Sequence, residues 1–147
     1  MSVEANKAVI RGFVESWNSG DLDRLGNFMD EACTLTVSGQ AVSMGPSAMR
    51  QNAEYWRGAF PDWRFELLDL IAEGDKVVAY MPYTGTQTGQ VLDIPPTGRR
   101  VRVSEIVIFN VVGGKIVEAW EVYDEYWMRR QLGVLGGAPT DTGSYEW

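Results

Sequence analysis

Apolar side chains recur at three- and four-residue steps through the first part of the chain and at every second position after Trp63. Ile10, Phe13, Val14 and Trp17 form one such stripe behind Ser2, a good helix cap, and Asn18-Ser19-Gly20 ends it. Asp21 stands where a cap opens a short second helix, with Leu22, Leu25, Phe28 and Met29 on one side. Residues 32 to 38 are rich in β-branched types and read as a strand before Gly39. Gly45-Pro46 opens a third helix carrying Met49, Ala53, Trp56 and Phe60, and Pro61 closes it. Residues 63–73, 76–87, 100–112 and 115 to about 124 then read as long strands, parted by Gly74-Asp75, a Gly89 to Gly98 loop and Gly113-Gly114. Pro82 offers no N–H to a ladder, so its strand lies at an edge or is bulged there. Residues 125–132 add a short helical turn. Helices first and sheet second predict an α+β domain, with three helices packed on the concave face of a curved antiparallel sheet. A single domain over residues 1–133 is expected, followed by a glycine-rich, aperiodic tail at 134–147.

The diglycine sets a register. A two-residue hairpin at Gly113-Gly114 places Val112 opposite Lys115, so that Val107 faces Trp120, Glu105 faces Val122 and Val103 faces Asp124. On that count Glu105 and Asp124 are diagonal neighbours, roughly 7–8 Å apart, on an apolar inner face. Trp120 lies one pleat from Asp124, and Glu121 falls on the outer face. Burial and mutual repulsion would then keep one of the two carboxyls protonated and useful as a proton donor. Alternatively, either acid sits wet at a strand end or pairs with Arg99, Arg100 or Arg102.

Trp17, Tyr55, Trp56, Phe60, Trp63, Tyr80, Tyr83, Phe109 and Trp120 exceed what three helices and a small sheet need for packing. The candidate substrate wall is Phe13, Trp17, Trp56, Phe60, Tyr80 and Trp120, together with Gln87 and Val107. Any one of these aromatics taken alone reads as ordinary core.

At 147 residues the chain buries roughly two thirds of its unfolded surface, enough to enclose a cavity. A net charge of −7 with no basic run argues against nucleic acid. No apolar run approaches the length of a membrane span. The absence of histidine makes a zinc or iron site improbable and leaves acid/base work to carboxylates, Tyr, Lys or the thiol. Cys33 is the single cysteine and reads as a small buried hydrophobe. With no disulfide possible and no apolar signal core in the first twenty residues, the expected compartment is the cytoplasm.

Trp17-Asn18-Ser19-Gly20-Asp21, Gly45-Pro46, Phe60-Pro61-Asp62, Gly85-Thr86-Gln87-Thr88-Gly89, Ile94 to Arg100 and Ile116 to Asp124, taken in order, resemble the SnoaL-like polyketide cyclases of the nuclear transport factor 2-like superfamily. The resemblance runs from about Asn6 to Gly133. It implies a conical fold, a deep pocket, usually a homodimer, and cofactor-independent ring closure on a hydrophobic polyketide-like molecule; the outer sheet face, with Ile106, Ile108 and Tyr123, is apolar enough to carry the dimer contact. It also assigns the general acid/base role of an aldol step to Asp124. Members often carry histidine near Thr36, at Gln87 and at Ala119, and this chain has none. That departure leaves two mechanisms open, a proton-moving aldol closure and a shape-driven pericyclic one. The alternatives on this fold are an isomerase, an epoxide hydrolase or a non-catalytic binding and assembly module. Phe13 stands where the isomerase pattern wants a tyrosine hydroxyl.

Overall fold

The computed structural model describes residues 1–43 and 45–135. The tail read at 134–147 lies almost wholly outside them. Helix α1, Val3–Ser19, starts where the Ser2 side chain accepts the Ala5 N–H at 3.1 Å, and it stops at Gly20, whose φ of 77° turns the chain left-handed. A short 3-10 helix, Leu22–Asn27, follows. Strands β1 (Met29–Val37) and β2 (Gln40–Ser43) form a hairpin, and α2 (Pro46–Ala59) has its proline at the first turn. Strand β2 had no counterpart in the sequence reading, which let Gly39 end the element instead of turning it.

Three of the four long strands expected after Trp63 are broken. They become β3 (Arg64–Phe65) and β4 (Asp69–Glu73), β5 (Lys76–Tyr80) and β6 (Tyr83–Thr86), then β7 (Arg100–Val103) and β8 (Glu105–Val112). Only β9 (Lys115–Tyr123) is uninterrupted by loop, and α3 (Glu125–Gln131) follows it. The break between β5 and β6 falls at Met81-Pro82, where the proline cannot donate. Each broken strand passes from a six-stranded sheet, β2-β1-β9-β8-β5-β4, into a three-stranded one, β3-β6-β7. This bends the surface into a cone. All pairings are antiparallel except β1 with β9.

Helix α1 packs on β3, β4 and β5, while α2 packs on β1 and the 3-10 helix. Asn18 ties the end of α1 to β3, donating to the Phe65 carbonyl at 2.9 Å and accepting the Phe65 N–H at 2.7 Å. Among the described residues no helix is long and apolar enough to cross a membrane.

Candidate active site

The β8–β9 hairpin begins as expected. Gly113 and Gly114 take φ of 59° and 77°, Val112 pairs with Lys115 and Val111 with Ile116. One residue later the register slips: Asn110 pairs with Glu118, leaving Val117 as an extra residue in β9. A bulge of this kind reverses the facing of everything beyond it. Ala119, Glu121 and Tyr123 therefore turn inward, opposite Phe109, Val107 and Glu105, while Trp120 and Val122 turn outward.

Beneath the helices lies a cavity of about 450 Å³. Phe13 and Trp17 line it from α1, Asn52, Tyr55 and Trp56 from α2, and Cys33 and Leu35 from β1. Trp63, Phe65 and Tyr83 form an aromatic floor, in which Trp63 and Tyr83 stack at 4.2 Å between ring centroids. The buried indole N–H groups of Trp17 and Trp63 have no hydrogen-bond partner among the described residues. No lysine or arginine among the described residues lines the cavity.

Among the described residues, the only charged types on its wall are Glu105 and Glu121. Burial pushes Glu105 well above the usual carboxylate range, and the adjacent charge of Glu121 and a hydrogen bond between the two carboxyls add to this. Tyr123, opposite Glu105, donates to Glu125 at 2.9 Å, and burial followed by that bond pushes its phenol upward. Burial raises the Cys33 thiol to about 11, so it stands in the cavity as a neutral thiol and a poor nucleophile. No cluster of three metal-ligating side chains occurs among the described residues.

The comparisons place in context a mostly apolar cavity with buried Glu105 and half-buried Glu121 on its wall. Residues 7–132 match the family described as SnoaL-like polyketide cyclase. The chain belongs to that family. Nogalonic acid methyl ester cyclase of Streptomyces nogalater is 28% identical over 123 residues, covering 82% of this chain and 91% of the relative. Among solved structures, TsrD from Streptomyces laurentii superposes with a TM-score of 0.83 at 32% identity, covering 92% of this chain and 99% of its own. AclR from Streptomyces galilaeus, a hydroxylase candidate, superposes at 0.84 with 29% identity, covering 95% and 91%.

In this SnoaL-like chain the sequence-derived candidates separate into two groups. Glu105, Phe13, Trp17, Trp56 and Val107 lie on the cavity wall. Asp124, Trp120, Phe60, Tyr80 and Gln87 do not. Asp124 caps α3, its Oδ1 accepting the Trp127 N–H at 2.9 Å, because the Val117 bulge ends the inward series at Tyr123. The same slip leaves Trp120 on the outer face, 41% exposed. Phe60 is fully buried behind the wall, stacked on Trp56 at 6.4 Å. Tyr80 alternates with the inward Val77 and Ala79, and its hydroxyl meets that of Ser104 at 3.3 Å.

Gln87 is buried in the loop that follows β6. It donates to the Ile94 and Pro95 carbonyls, each at 3.1 Å, and accepts from the Thr97 N–H and hydroxyl at 3.1 and 2.6 Å. Its amide is saturated by its own loop and has nothing left for a substrate. Glu121, Tyr123, Asn52 and Leu92 are wall residues the sequence reading missed. Asn52 had a usable signal, one turn before Trp56 on the same helix face. Glu121 and Tyr123 had none, since nothing local announces the bulge.

Proposed function

We propose that the protein closes a ring in a neutral, polyketide-type molecule by an intramolecular aldol reaction, with Glu121 as base and Glu105 as acid. The observation that carries this reading is buried Glu105 beside half-buried Glu121 on the wall of a mostly apolar, aromatic cavity that no lysine or arginine among the described residues lines. The Glu121 carboxylate takes a proton from a carbon activated by a neighbouring carbonyl. The Glu105 carboxyl donates a hydrogen bond to the developing enolate oxygen. The enolate carbon attacks the second carbonyl, one carbon–carbon bond forms, and the resulting alkoxide takes the Glu105 proton. Transfer of the proton from Glu121 back to Glu105, across their shared hydrogen bond, restores the pair. Every step is a proton transfer or an addition, so no cofactor is needed. The aromatic walls supply the folded conformation that brings the reacting carbons together.

The test is turnover of an open-chain polyketide methyl ester of the kind the nogalater relative is named for, with Glu121→Gln and Glu105→Gln variants. Loss of Glu121 is expected to lower turnover by roughly 10²–10⁴-fold. Near-normal turnover in Glu121→Gln would instead favour shape-driven, pericyclic closure.

A second copy of the chain is proposed to cover the outer face of β8 and β9. The bulge turns Trp120 and Val122 outward beside Ile106, and this apolar patch is exposed in the isolated chain.

A further inference from the structure

The loop between β6 and β7 comes to a tip at the cavity wall. Val91 and Ile94 exchange backbone hydrogen bonds at 3.1 and 2.8 Å, leaving Leu92 and Asp93 as a two-residue turn. Such turns favour Gly or Asn where φ is positive. Here Leu92 takes φ of 52°, a conformation that costs an ordinary L side chain free energy. Its side chain packs on the core and lines the cavity, as do Tyr55 and Val42, the two wall residues that keep substantial exposure, 47% and 41%. Those two mark the mouth.

The tip is tied down from both sides. The Leu92 N–H donates to the Tyr55 hydroxyl on α2 at 2.7 Å. Asp93 pairs with Arg129 of α3 at 2.8 Å, and Arg129 also pairs with Glu125, the acceptor of the Tyr123 phenol on the cavity wall. Behind the tip, Gln87 fixes the loop's descending half, and Thr88 and Gly89 both donate to the Ala59 carbonyl. A loop tethered on both sides thus presents a large apolar side chain, in an unfavourable backbone conformation, on the wall of the cavity. Backbone outliers that persist in this way point to a role for the side chain they position.

We propose that Leu92 is the size-selecting gate of the cavity and that the Tyr55 hydroxyl is its latch. A molecule enters only when the tip lifts and the Tyr55–Leu92 bond breaks, and the Leu92 side chain limits the width of what passes. The inference rests on the cavity being the place where substrate binds.

Cys33, the single cysteine, is buried on the cavity wall and reports entry without any need for turnover. The experiment compares its rates of modification by N-ethylmaleimide and by the much wider N-(1-pyrenyl)maleimide, both neutral, in the full-length chain. The wild type is expected to react slowly and to favour the small reagent. Tyr55→Phe is expected to speed both reagents alike, by about tenfold at most, the equivalent of one net hydrogen bond. Leu92→Gly is expected to speed the wide reagent more than the small one, so that the preference narrows. Its melting temperature is expected to change little, since relief of the positive φ opposes the loss of the side chain's packing on the core. A general loosening of the fold would lower the melting temperature, which separates it from gating. An unchanged size preference in Leu92→Gly, or a wild-type Cys33 that reacts as fast as a free thiol, overturns the gate. The turnover of Glu121→Gln tests the cyclisation chemistry separately, so either reading can fail alone.

Discussion

Glu121 lies diagonally across the β8–β9 ladder from Glu105, on the same inward face, because Val117 is one residue too many for the strand it occupies. Without the bulge Glu121 would face outward and Asp124 would hold the inward diagonal position. The chemistry of the cavity therefore follows from one unpaired backbone residue.

Asp124 is expected to matter for stability and not for turnover. As the cap of α3 it satisfies the Trp127 N–H. Asp124→Ala should cost about 1 kcal/mol, a typical cap value, and retain most of the wild-type turnover. Thermal melts and steady-state rates on the same preparation check both halves. A catalytic collapse with the melting temperature intact would return the acid/base role to Asp124.

Glu105 makes stability depend on pH in a defined sense. Its carboxyl titrates above the usual 4.5 in the folded chain, so between that value and its raised one the folded state holds a proton the unfolded state has released. Its contribution is complete below 4.5 and declines as pH rises through the raised value. Urea unfolding of the wild type and of Glu105→Gln across this range should show the wild type losing stability relative to the variant with rising pH. Parallel profiles would mean that Glu105 titrates normally.

Trp120 is expected to hold two copies of the chain together. Trp120→Glu places a charge in the middle of the outward patch formed with Ile106 and Val122. Light scattering should find the wild type dimeric and the variant monomeric, with Cys33 inside the cavity still protected. A wild type that is already monomeric at working concentration disposes of this interface.

Gln87 should behave as a loop knot. Gln87→Leu keeps the bulk but leaves the Ile94 and Pro95 carbonyls and the Thr97 donors without their partner. A loss of roughly 1–3 kcal/mol is expected, the cost of unpaired buried groups, together with faster proteolysis between β6 and β7. Undiminished stability would show that the loop holds its shape without the amide.

Much of this protein was legible along the chain. The stripe from Ile10 to Trp17 and the Gly45-Pro46 start describe α1 and α2 closely, and the diglycine turn and the α+β order were readable, whereas Pro82, read as an edge or bulge, divides β5 from β6. Glu105 was readable as an inward acid, because β8 alternates without interruption from its first residue to its last. These features depend on neighbours in sequence, where backbone propensity and a constant period carry the information.

What the tertiary structure decided is the partner of Glu105 and the mouth of the cavity. Strand β9 runs between β8 and β1, and both of its ladders shift register near Ile116–Glu118. Satisfying both neighbours while burying Ile116 and Ala119 sets the facing of Glu121, Tyr123 and Trp120, against a local pattern that would turn Trp120 and Val122 inward. Parity along a strand is a sum over everything before it, so one unpaired residue reverses the count. The Tyr55–Leu92 contact joins residues 37 positions apart through a turn whose backbone strain no composition reveals. Both were settled only when the sheet closed on itself.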